Sequence, residues 1–80
     1  MFYVYLIESL STPGQRYVGL TADLKIRLND HNDGNSRHTS KFRPWRLVAY
    51  FAFADRAKAE AFERYLKSGS GHAFAKKHLW

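Results

Sequence analysis

Phe2-Tyr3-Val4-Tyr5-Leu6-Ile7 and Arg16-Tyr17-Val18-Gly19-Leu20 are two extended-looking runs, separated by Ser9-Leu10-Ser11-Thr12-Pro13-Gly14-Gln15, a segment crowded with turn formers. The pattern predicts a β-hairpin. In the first run Tyr3, Tyr5 and Ile7 share one face and Phe2, Val4 and Leu6 the other, so both faces are apolar or aromatic. One face can pack on a core while the other presents tyrosine hydroxyls. Strand tyrosines alone carry no chemical message, because Tyr is a common strand residue and edge aromatics usually just pack.

Beyond the hairpin, Thr21 is expected to cap a helix and Asp23 to put negative charge in its first turn, where the helix dipole favours it. This helix runs to about Asn32, and Gly34 is a natural stop. Leu24, Arg27, Leu28 and His31 follow i, i+3, i+4, i+7 spacing, so Arg27 and His31 are interleaved with the residues that pack the helix down. Lys25, Asn29 and Asn32 fall on the other side. On spacing alone, Arg27 could snorkel along the core edge and His31 could cap the helix C terminus. Residues 33–44 lack apolar periodicity and form a connecting loop, long for so small a domain. Its hydroxyls beside cations suit phosphate oxygens, so Arg37, His38, Thr39, Lys41 and Arg43 are read as a clamp on a nucleic-acid backbone.

Trp45 to Phe53 is a third strand whose nearly continuous apolar run implies a central position, covered on both faces by helices. Asp55 starts a second helix lasting to Lys67, with Ala59, Phe62 and Leu66 as its buried stripe. Helical projection puts Glu63 on the flank of that stripe and Glu60 nearly opposite, facing water. Simple i, i+4 pairing would match Glu63 with Lys67 and Glu60 with Arg64. Ser68-Gly69-Ser70-Gly71 breaks the helix, and a last short helix starts near Ser70 and includes Phe74, Lys76 and Lys77.

Eighty residues without cysteine make one small domain that must be stabilised by packing, with no disulfide or thiolate metal site. An aromatic content of 16% suits that need, since large rings bury much area per residue. The first residues lack the charged and long apolar regions of a secretory signal and no apolar run is long enough to span a bilayer, so a reducing cytoplasm is the expected compartment and no membrane partner is expected. Thirteen Lys and Arg against seven Asp and Glu give a formal charge of +6, which favours an anionic partner, most often nucleic acid. Composition does not separate DNA from RNA. Arg37, Lys41, Arg43 and Arg46 form one acid-free basic group, and Lys76 and Lys77 with His72 and His78 form another.

In order and rough spacing, Tyr5, Tyr17, Arg27, His31 and Glu63 resemble the active-site set of the GIY-YIG nuclease family, and the resemblance covers nearly the whole chain. Tyr3 and Val4 stand where the first triplet of that family has glycine and isoleucine, Val18 replaces an isoleucine, and no asparagine follows Glu63. The arrangement looks most like small stand-alone members related to the amino-terminal nuclease domain of the bacterial excinuclease C subunit. The resemblance implies an α/β (α+β) fold with a small three-stranded, mostly antiparallel sheet in the order β-β-α-β-α-α. It also implies a metal-dependent DNA endonuclease with a role in repair or recombination.

In that reading Glu63 holds one Mg²⁺ or Mn²⁺, Arg27 grips a phosphate oxygen with its planar fork, and Tyr5, Tyr17 or His31 orients or deprotonates the water. A phenol ordinarily titrates at about 10; a neighbouring cation would favour the phenolate. The choice of base stays open, with Tyr17 the family's suggestion. Lys67 and Lys76 complete the expected nucleic-acid contacts. The length is expected to leave no room for a separate DNA-binding module, so nicking is expected to be structure-selective or nonspecific, with any substrate choice reflecting nucleic-acid shape, a homodimer or a partner protein. Phe42, Trp45 and Trp80 are the aromatic candidates for such an interface. The alternative is a noncatalytic nucleic-acid-binding module on the same fold.

Overall fold

The computed structural model describes all residues from Met1 to Trp80. β1 (Phe2–Ser9) is its middle strand, flanked by β2 (Arg16–Thr21) on one side and β3 (Trp45–Phe53) on the other. Both pairings are antiparallel. The expected hairpin and three-strand sheet are therefore present, but the expected central place of β3 is not: β1 holds it. Val4, Leu6 and Ile7 are completely buried because β1 is covered on both faces. In β3, Ala49, Phe51 and Phe53 pack towards the main core while Tyr50 stays 53% exposed. The apolar run of β3 thus belongs to an edge strand whose second face is only partly roofed.

A bulge keeps the two faces in phase. Leu6 lies opposite Ala49 and Ile7 opposite Leu47, which leaves Val48 as the extra residue. Leu47 and Trp45 therefore return to the side of Tyr5 and Ile7 and form a second, smaller core with them.

α1 (Leu24–Asn32) covers that smaller core. Its cap is Asp23, whose carboxylate accepts the Ile26 N–H, whereas Thr21 accepts the Asp23 N–H one step earlier. The aspartate wins because it follows the turn that Thr21 closes. Asn32, at the other end, accepts the Trp45 N–H at 2.5 Å and donates to its carbonyl at 3.2 Å, tying α1 to the start of β3. α2 (Arg56–Lys67) begins at Asp55, whose carboxylate accepts the Ala57 N–H at 2.8 Å. Its Ala59 and Leu66 enter the main core with Val4, Leu6 and Ala75, and Phe62 sits edge-on to Phe51. α3 (Gly69–His78) folds back on α2 from a Ser68 cap. Glu60 pairs with Arg56 behind it at 3.5 Å and not with Arg64 ahead, while Glu63 and Lys67 pair as expected at 3.2 Å. No helix is long and apolar enough to cross a membrane.

Candidate active site

The strand register sets Tyr5 directly across from Gly19. A Cβ at position 19 would overlap the Tyr5 hydroxyl and ring, so the missing side chain lets the phenol lie across β2. From there its oxygen meets α1. Arg27 donates from Nε to the Tyr5 hydroxyl at 3.3 Å, and that hydroxyl lies 2.7 Å from His31 Nε2. His31 Nδ1 lies 2.6 Å from the Thr39 hydroxyl, which in turn donates to the Ser36 carbonyl at 3.4 Å.

These contacts fix a proton order. Thr39 has one hydroxyl proton, and the Ser36 carbonyl can only accept, so His31 Nδ1 is the donor to Thr39. His31 Nε2 is then free to accept the Tyr5 proton, and the Tyr5 oxygen accepts from Arg27. The result is a directed chain from guanidinium to loop carbonyl with no orphaned polar atom. Burial pushes the Tyr5 hydroxyl up to about 12, and Arg27 only partly offsets it. Burial, reinforced by the Arg27 charge, pushes His31 down to about 4. Both groups are neutral at pH 7, and both are closed to bulk water, at 1% and 0% exposure.

Tyr17 is different. It lies on β2 at the rim of this cluster, its ring centroid 5.2 Å from His31 and 6.3 Å from Tyr5, and it is only half-buried. Its hydroxyl also acts on the Arg27 guanidinium. Arg27 keeps its outer nitrogens at the surface, with a long 3.9 Å contact to Asp30 and 34% side-chain exposure. Glu63 arrives from α2, which packs on both β1 and β2. Its carboxylate charge reaches Tyr5, where it adds to the upward push, and its side chain is 22% exposed. Residues 5, 17, 27, 31 and 63 are thus brought together from four elements. No three acid or imidazole side chains are grouped so that they could hold a metal ion together. A hard cation held by one carboxylate, water and substrate phosphate matches the donor set that Glu63 offers.

Two positions of the cluster escaped the sequence reading. Thr39 was expected among the phosphate contacts, but it is 1% exposed and its hydroxyl is spent on His31. A fully buried imidazole needs partners on both nitrogens, so placing His31 on the packed face of α1 already demanded a second polar residue. Gly19 was read only as part of a strand triplet. The remaining clamp residues Arg37, His38, Lys41 and Arg43 are exposed, with the Arg43 guanidinium resting on Gly34. Arg46 leaves the basic group, because Glu8 binds it at 2.9 Å and Arg16 at 3.2 Å. Lys76 is exposed, and Lys67 lies on Glu63. Trp45 leaves the list of interface candidates: it is buried, and its indole N–H donates to the Thr39 carbonyl at 2.9 Å.

Residues 1–77 match the family model described as the GIY-YIG catalytic domain. The chain is 36% identical over 98% of its length to a structure-specific endonuclease subunit SLX1 from Candida dubliniensis, of which it spans 29%. It is 35% identical over 89% of its length to a UPF0213 protein from Lacticaseibacillus paracasei, of which it spans 79%. The solution NMR structure of a UPF0213 protein from Bacillus halodurans superposes with a TM-score of 0.57 at 31% identity, covering 96% of this chain and 84% of that one.

Proposed function

The chain belongs to the GIY-YIG catalytic-domain family, and on that premise we propose that it is a metal-dependent DNA endonuclease that selects its substrate by shape. The observation that carries this reading is the hydrogen-bonded Arg27–Tyr5–His31 chain with the Tyr17 ring at its edge, near enough to Glu63 for that carboxylate to act on the Tyr5 hydroxyl. Arg27 is pinned through Nε by Tyr5 and keeps its outer nitrogens for a phosphate oxygen, a fork that lysine cannot reproduce. Tyr17, acting as its phenolate, takes the proton of the attacking water, because it alone of the three candidate bases reaches solvent. Tyr5 and His31 are positioning residues: one is too weak an acid and the other too weak a base for the task at pH 7. Glu63 would hold a divalent cation, which when bound supplies charge neutralisation at the phosphate. Exposed Arg37, His38, Lys41, Arg43 and Lys76 contact the backbone, and Lys67 can exchange Glu63 for a phosphate. The name of the Candida relative supports a structure-selective substrate and a second subunit; a repair role and a cytoplasmic site of action follow the same reading.

The test is nicking of labelled single-stranded, duplex, flap, bubble and branched DNA with Mg²⁺, Mn²⁺ or EDTA. Cleavage is expected only with metal, reduced at least ~10²-fold in Glu63→Ala and abolished in Tyr17→Phe, with DNA binding retained in both. Undiminished cleavage by Tyr17→Phe removes that residue from the base role. Binding without cleavage of any substrate sinks the nuclease reading in favour of a noncatalytic binding module.

A further inference from the structure

A pocket of about 300 Å³ opens between β2, the end of α2 and α3. Its apolar floor is Val18, Leu66 and the ring of Trp80. Its rim carries Arg16, Lys67 and His72. Tyr17 lines the same pocket, which makes it continuous with the rim of the catalytic cluster. Arg16 lies over the Trp80 ring, its guanidinium carbon 5.0 Å from the centroid, and its Nε is held by Glu8. Glu8 serves two arginines with one negative charge, and Lys67 balances Glu63, so the local charge remains positive.

We infer that this pocket is a subsite for one nucleotide of the cut strand, immediately next to the scissile phosphate. A nucleotide is a flat apolar ring joined to an anion, and the pocket offers a flat apolar floor under a cationic rim. The base takes the place of the Arg16 guanidinium over Trp80, where stacking tolerates any sequence, as Arg16 turns aside. Its phosphate meets Arg16, Lys67 and the His72 ring N–H. Because Tyr17 belongs to both sites, a base seated here sets the distance between the strand and the attacking water. Extrahelical or unpaired bases can enter such a pocket without loss of a Watson–Crick pair, which gives preference for flaps, bubbles and ends over intact duplex. The placement beside a cut rests on the nuclease reading; affinity for a nucleotide does not.

The test separates the two. Trp45 is buried and Trp80 half-buried, so a ligand-induced change in tryptophan emission reports Trp80. In EDTA, a thymidine pentanucleotide is expected to quench that emission, while inorganic phosphate and the same pentanucleotide without bases are not. Anisotropy of the fluorescein-labelled pentanucleotide should show binding weakened about tenfold by Trp80→Ala, towards the lower end of base stacking. Most affinity should return in Trp80→Phe. Trp80 also packs against the core, so the exposed His72→Glu provides a second weakening variant, with folding followed by circular dichroism. In cleavage assays, one abasic position beside the cut should lower kcat/KM about tenfold in the native protein and less than twofold in Trp80→Ala. Equal binding of the abasic strand, or quenching by phosphate, overturns the subsite. Cleavage indifferent to Trp80 and to the abasic position overturns it while the nuclease stands. Base-dependent quenching without cleavage keeps the subsite and removes the nuclease.

Discussion

The two faces of the sheet are built from different materials. Towards α2 and α3, Val4 and Leu6 meet Ala59, Leu66 and Ala75 in a hydrocarbon core. Towards α1, the same strand sends Tyr5 into a buried chain with His31 and Thr39, braced by Ile7 and Trp45. Alternation along one strand thus assigns cohesion to one side and directed polarity to the other. Hydrophobic packing tolerates small adjustments of shape, whereas a hydrogen-bonded chain works only in one arrangement. A face that must hold Arg27 in one orientation benefits from the second kind of construction.

The largest effect that would expose this division is Leu6→Ala. Leu6 is fully buried, and its truncation should cost about 2–5 kcal/mol in urea denaturation. Cleavage per folded molecule should fall by less than tenfold, because Leu6 packs with Ala59 and Leu66 of the helix that carries Glu63 and lies outside the cluster that holds Tyr5. A tenfold fall in specific activity at full folding would mean that the two faces are not separable.

Acid should attack the other face. His31 is held near 4 against about 6.5 in the unfolded chain. Between those values the unfolded state binds more protons than the folded one, so stability falls as pH falls. His31's contribution is complete above pH 6.5 and is lost progressively towards pH 4, at most about 3 kcal/mol over the window. Tyr5 gives the mirror case: raised to about 12, it makes stability fall as pH rises from about 10. Replacing His31 by Gln should flatten the acid limb measured by urea titration at several pH values. An unchanged limb would assign it to other groups, Glu8 first, whose carboxyl is held down by hydrogen bonds from Arg16 and Arg46.

Gly19 tests the arrangement itself. Gly19→Ala should cost roughly 1–3 kcal/mol by pushing the Tyr5 ring off its contacts. Tyr5→Phe should cost a similar amount by leaving His31 Nε2 and Arg27 Nε without their partner. The two residues face each other, so the double variant should cost less than the sum. Additive losses would show that the glycine serves the strand backbone and not the phenol.

These positions also mark what the sequence could reveal. The hairpin, all three helices and the Asp55 start are legible, because caps and apolar spacing act over four or five residues. The central place of β1 is not, since a run of apolar residues reports their chemistry and not which side is roofed. Arg27 and His31 were found on the packed face by spacing; Thr39 and Gly19 acquire meaning only from contacts across 8 and 14 residues. A side chain whose role is to complete another's hydrogen bonds leaves no periodic trace.

The smallest expected effect discriminates most sharply between the two glutamates of α2. They sit three residues apart, and each has a basic partner four residues away: Arg56 before Glu60 and Lys67 after Glu63. Arginines stand on both sides of Glu60; i, i+4 spacing points to Arg64 ahead, and the structure pairs Glu60 with Arg56 behind. Its side chain is 42% exposed, and the pair at 3.5 Å works against water. Glu60→Ala should therefore shift stability by no more than about 0.5 kcal/mol and leave cleavage unchanged. Glu63→Ala carries a similar ion-pair loss but should remove activity, so the difference between the variants isolates what proximity to Tyr5 adds to one carboxylate. If Glu60→Ala also slows cleavage, the charge of α2 as a whole supports the reaction, and Glu63 loses its claim as the residue that holds the cation.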